Sequence, residues 1–150
     1  MNKNNSFVFI PTMLMVTRIF LTMMILFPLA SQADLVIANA WIKNLPPTVP
    51  VRAAYMNISN TGQEAVCIVS FSSEKFSNIA LHETIMNDGM MHMQQVTDLT
   101  IAPNQQIILE PGGMHLMMQA NEPTRPGENV QMTIKLSDGS HQSLMMTVKK

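Results

Sequence analysis

Two histidines and two methionines, His82, Met93, His115 and Met117, stand in the spacing H-x10-M-x21-H-x-M. Thioether sulfur is a soft donor that prefers Cu(I) to the hard cations, and imidazole accommodates copper as a borderline ligand. A set of two of each therefore selects copper by donor type. Methionine has no thiol proton to lose and cannot close into a disulfide, so such a site stays open in an oxidising compartment where paired cysteines would not. All four donors are neutral, which leaves bound Cu(I) its own positive charge and moderates its affinity enough for ligand exchange. The pattern reads as that of a Cu(I) carrier.

Other chemistries find less support. There is no G-x-S-x-G, no H-E-x-x-H and no Cys-His pair with an orienting group, so the chain is not expected to be an enzyme. Cys67 is the only cysteine, which excludes an internal disulfide and a thiolate cluster. A blue-copper centre would need a cysteine ligand beside two histidines and an axial methionine. Cys67 instead lies far upstream between Val66 and Ile68, where it is expected to be a small core residue. Trp41 and Tyr55 are expected in the core as well. Met86, Met90, Met91 and His92 surround one turn and form a possible secondary soft surface, while His141 reads as solvated. The alternative function is a secreted structural or adhesion sandwich whose methionines only pack.

The elements that must position the four residues are short strands. Segments 35–43, 53–59, 65–71, 79–85, 106–110, 114–120, 130–136 and 143–149 are β-branched or alternating in polarity. Turn signals separate them, among them Pro46-Pro47, Asn60-Thr61-Gly62, Asn87-Asp88-Gly89, Pro111-Gly112-Gly113 and Asp138-Gly139. Short strands at this spacing predict an all-β, cupredoxin-like or Greek-key antiparallel β-sandwich. Within 114–120, alternation puts Met114, Leu116 and Met118 on a core face and His115, Met117 and Gln119 on the other. The turn at Asn87-Asp88-Gly89 suits a tight hairpin that sets His82 opposite Met93, or one residue out of register. The Pro111-Gly112-Gly113 turn can return His115 and Met117 toward the first pair.

Residues 1–33 read as a leader. Lys3 and Arg18 are the only charges before Asp34, 19–30 is apolar, and Ser31-Gln32-Ala33 has the small-x-small pattern of a signal peptidase site. Cleavage after Ala33 would leave a single domain, 34–150, in the periplasm. An uncleaved anchor is disfavoured because Arg18 would sit near mid-bilayer, at about 2.5 kcal/mol or more. Loss of Lys3 and Arg18 gives 7 − 10 = −3 for the mature chain with histidines neutral, which excludes a basic nucleic-acid footprint. No stable membrane insertion is expected after cleavage, and the carrier is expected to be a monomer.

The sequence resembles the PCuAC-type periplasmic copper chaperones, whose hallmark is the same four-residue spacing. The resemblance runs from Ala40-Trp41-Ile42 through Ala53-Ala54-Tyr55-Met56, Asn60-Thr61-Gly62, Leu81-His82-Glu83 and Asp88-Gly89-Met90-Met91. It continues through Pro111-Gly112-Gly113-Met114-His115-Leu116-Met117 to Asp138-Gly139-Ser140. It implies Cu(I) bound by His82, Met93, His115 and Met117 and delivered during cytochrome c oxidase copper-centre assembly. The implied acceptor is an apo copper site, in an oxidase subunit or another assembly chaperone. Some members carry a His- and Met-rich tail for a second copper. Here the chain reads Lys149-Lys150, and no such tail site is expected.

Overall fold

Residues buried at every second position define the strands that build the core. In β9 (Asn129–Leu136), Val130, Met132, Ile134 and Leu136 are buried, with more exposed residues between them. The computed structural model describes residues 35–150, so the leader and its cleavage point lie outside the described residues. The other strands are β1 (Leu35–Lys43), β2 (Val51–Asn60), β3 (Val66–Ser72), β4 (Phe76–Asn87), β5 (Met90–Val96), β6 (Leu99–Ile101), β7 (Gln106–Leu109), β8 (His115–Ala120) and β10 (His141–Lys149). All eight expected strands are present. β5 and β6 are additional: the Met-His-Met-Gln-Gln run of β5 lacks the β-branched signature, and β6 is only three residues long.

The strands hydrogen-bond in the order β5-β4-β8-β2-β1-β10-β9-β3-β6, with β7 also paired to β2. The fold is the expected all-β, cupredoxin-like sandwich. All pairings are antiparallel except β1 with β10, so the sheet is mixed. One core draws buried side chains from every strand but β5. Buried Arg52 closes one end of the core face of β2, donating from Nε to Thr124 Oγ1 at 2.9 Å and from Nη1 to the carbonyls of Val49 and Val51.

Two asparagine bulges keep the burial pattern in phase. In β1 the register shifts between Ala38 and Trp41, with Asn39 at φ 54°. In β4 it shifts between Ser77 and Ala80, so that Asn78 and Ile79 together oppose Met118 of β8. Asn78 takes φ 48°, a left-handed conformation that asparagine tolerates better than most residues, and its Nδ2 donates to Gln119 Oε1 at 2.9 Å. Phe76 and Leu81 are an odd number of residues apart yet both buried, which an unbroken two-residue period forbids.

Alternation overturns the expected burial of Cys67. Val66 and Ile68 enter the core, so Cys67 points from the other face of β3 and is half-buried. Tyr55 is buried as expected, but Trp41 is only half-buried. Their rings meet with centroids 4.6 Å apart, on the face of the sheet opposite the core positions Ile42 and Ala54.

Candidate metal centre

The β4 bulge decides which residue faces His115. Continuing the Phe76–Ala120 register without the shift would bring Leu81 opposite His115. With the shift, Leu81 pairs with Leu116 in the core and His82 pairs with His115. Directly opposed side chains leave the same face of a sheet, so both imidazoles stand on the face away from the core. Their ring centroids are 6.1 Å apart and their planes are inclined by 25°. At that separation, rotation of the side chains can bring a nitrogen of each ring to within about 2 Å of one ion.

Met117 lies two residues along β8 from His115, on the same face. It opposes Ala80 of β4 on one side and Ala53 of β2 on the other. Two alanines leave its thioether unobstructed within that row. Met93 arrives through the hairpin. Asp88 and Gly89 both have positive φ, 50° and 77°, the signature of a two-residue type I′ turn, and Asn87 pairs with Met90. His82 then opposes Gln95, and Met93 opposes Thr84. This corrects the expected register: Met93 is two residues from the position facing His82, because the β4 arm of the hairpin is the longer. A shift of two preserves the face, so Met93 stands diagonally beside His82, where cross-strand Cβ atoms are about 7–8 Å apart, within reach of a methionine side chain. All four predicted residues share one face of three adjacent strands.

The donors differ in how firmly they are held. A type II turn at Pro111-Gly112, with Gly112 at φ 85° and Gly113 N donating to Glu110 O at 3.1 Å, delivers the chain into β8. His115 is 9% exposed, and its Nδ1 lies 3.1 Å from the Gly113 carbonyl oxygen. An Nδ1–H donating there fixes the ring and leaves Nε2 as the lone-pair nitrogen. His82 is half-buried, and its Nδ1 is buried without a hydrogen-bond partner. Leaving such an atom unpaired costs about 1–3 kcal/mol, and an ion bound there would remove that cost. Tyr55 lies on the same face of β2 as Ala53, and burial pushes its hydroxyl above the usual tyrosine range, so it stays neutral.

No group of three or more His, Cys, Asp or Glu side chains that could share an ion occurs among the described residues. Nitrogen donors here must be completed by thioethers. Cys67 opposes Thr100 of β6 on strands other than those carrying the four residues, which leaves no thiolate for a blue-copper centre. Sequence reasoning missed Ala53 and Ala80 as the small neighbours of Met117, and missed Met86 as the residue opposite Met91 on the same face. Centring the hairpin on Asp88-Gly89 and counting outward would have found the second of these.

Comparison with known proteins gives concordant matches. Residues 35–148 match the LpqE-like family, described as "Putative lipoprotein LpqE-like". A relative from Leifsonia xyli subsp. xyli, "Putative lipoprotein Lxx21020", is 31% identical over 79% of this chain and 72% of its own length. The solution structure of Cu(I)-DR1885 from Deinococcus radiodurans is 31% identical, with a TM-score of 0.65 over 80% of this chain and 82% of that one. The copper-bound PCuAC domain from PmoF2 shares the fold at a TM-score of 0.64 and 14% identity, over 77% of this chain and 92% of that one.

Proposed function

The chain belongs to the LpqE-like family and is of PCuAC type, and on that premise we propose that it is an exported copper chaperone. It holds one Cu(I) through His82, Met93, His115 and Met117 and hands it to an apo copper site, in a cytochrome c oxidase subunit or another assembly chaperone. The observation that carries this reading is the direct pairing of His82 with His115, with Met93 and Met117 on the same face of the flanking positions. The Cu(I)-bound state of the Deinococcus relative supports the choice of ion.

The chemistry follows from the donors. His115, fixed by the Gly113 carbonyl, supplies a preset nitrogen, and the unpaired nitrogen of His82 gains a partner when the ion arrives. The two thioethers complete a soft, uncharged set that favours Cu(I) over Cu(II) and Zn(II). Release needs no deprotonation or redox step, because an acceptor thiolate can displace the neutral donors one at a time. Export rests on the leader pattern of residues 1–33, for which cleavage after Ala33 is proposed, and the relative "Putative lipoprotein Lxx21020" supports export alone. No helix of the described residues is long and apolar enough to cross a membrane.

The decisive test is an anaerobic Cu(I) titration with ligation read by X-ray absorption, run beside the variant carrying Met93→Leu and Met117→Leu. Leucine keeps the volume and removes the sulfur. One Cu(I) per parent chain with mixed nitrogen and sulfur ligation, lost in the variant, is the expected result. A variant that binds like the parent would leave the methionines as packing and end the chaperone reading.

A further inference from the structure

The β4–β5 hairpin carries more soft sulfur than the four-residue site uses. Met86 directly opposes Met91, the pair next to the turn-flanking Asn87–Met90 pair, and Met93 follows two residues along β5. By alternation Met86, Met91 and Met93 share the face that carries His82. They are 65%, 71% and 60% exposed, and none joins the core. Packing therefore does not account for them. Directly opposed Cβ atoms lie about 4.5–5.5 Å apart, and the flexible thioether arms can bring both sulfurs onto one ion. Met93 reaches the same point from the next row, with only Thr84 opposite it.

We propose that Met86, Met91 and Met93 form a second soft-metal subsite at the hairpin tip, an all-thioether docking point for Cu(I) on its way into or out of the histidine site. The inference rests on the chaperone reading above and deepens it. Met93 belongs to both donor sets. As Cu(I) moves along the stripe, Met93 keeps its hold while Met86 and Met91 leave and His82, His115 and Met117 take their places. The ion remains Cu(I) throughout, and only dative bonds to neutral donors break and form. Three thioethers without imidazole hold Cu(I) less tightly than the mixed set. The tip is also the exposed end of an edge hairpin, where the cargo site of an acceptor can approach it.

The test is NMR of the full exported protein with its methionine methyl groups labelled with carbon-13, titrated anaerobically with Cu(I). The first equivalent should move the Met93 and Met117 methyls, and the second, competing for Met93, should move Met86 and Met91. In the Met86→Leu and Met91→Leu double variant, the first equivalent should bind as in the parent. The second should vanish, and transfer of the first to a Cu(I) chelator should slow severalfold. If Met86 and Met91 stay unmoved through the second equivalent while the first binds normally, the tip subsite is refuted and the chaperone reading stands. If copper moves only Met86, Met91 and Met93 and never Met117, the tip subsite stands and the four-residue site fails. An unchanged transfer rate in the double variant would remove the docking role.

Discussion

β8 and β5 flank the same strand, β4, and each presents soft donors to the same face, yet they are built in opposite ways. β8 sends Leu116 and Met118 into the core at no exposure and holds His115 by the Gly113 carbonyl. β5 is the edge strand, exposed along nearly all its length, and its hairpin is steered by one two-residue turn. The candidate centre thus has two parts: His82, His115 and Met117 on strands that pack the core, and Met93 on an exposed arm. A carrier gains from that division: donors on the packed strands fix where the ion sits, and the exposed Met93 thioether is the one another protein can compete for.

The largest expected effect lies on the packed strands. Replacing His82 and His115 together by alanine should weaken Cu(I) binding by more than about 100-fold, with the β-sheet circular dichroism retained. A double variant that still titrates like the parent would show that the thioethers alone suffice and that the division is wrong.

Stability should divide the same way. Leu116→Ala in β8 empties a core position and should cost about 2–5 kcal/mol in denaturant unfolding, whereas Met91→Ala in β5 should stay within about 0.5 kcal/mol. Equal losses from the two substitutions would mean that β5 is packed after all.

The bulge links the two parts and gives a third, smaller effect. Asn78→Ala puts at φ 48° a residue that tolerates it less well than asparagine and removes the hydrogen bond to Gln119, and should cost roughly 1–2 kcal/mol. Because the bulge sets His82 against His115, copper affinity should fall with it, and Asn78→Gly should restore most of both. An Asn78→Ala variant with unchanged affinity would show that the imidazole pairing does not depend on the bulge.

The smallest effect is a control away from both strands. Lys75 and the Arg125 backbone N–H bond to the Glu128 carboxylate and hold it below the usual glutamate range. A carboxyl lowered by folding adds stability above its unfolded value and loses it as pH falls through the folded one. Glu128→Gln should therefore cost under about 1 kcal/mol at neutral pH, nothing once the pH is below that lowered value, and should leave copper binding intact. A change in Cu(I) affinity would tie this surface pair to the site.

Much of this protein was legible in the residues themselves. The alternation of β8 separates Leu116 and Met118 from His115 and Met117, because a strand has a period of two whatever surrounds it. The Asp-Gly turn fixes the hairpin, and the H-x-M pair follows from neighbouring same-face positions. The donor types alone select a soft ion. Other features had no local signal. Cys67 looked apolar from its neighbours, yet those neighbours take the core and leave it on the other face. β5 carries no strand-like composition and exists because β4 offers it an edge to pair with. Most of all, a local pattern cannot say which residue of β8 meets His82. A one-residue slip exchanges the two faces of a strand, and it was the burial of both Phe76 and Leu81, with a left-handed Asn78 between them, that chose the pairing bringing the two histidines together.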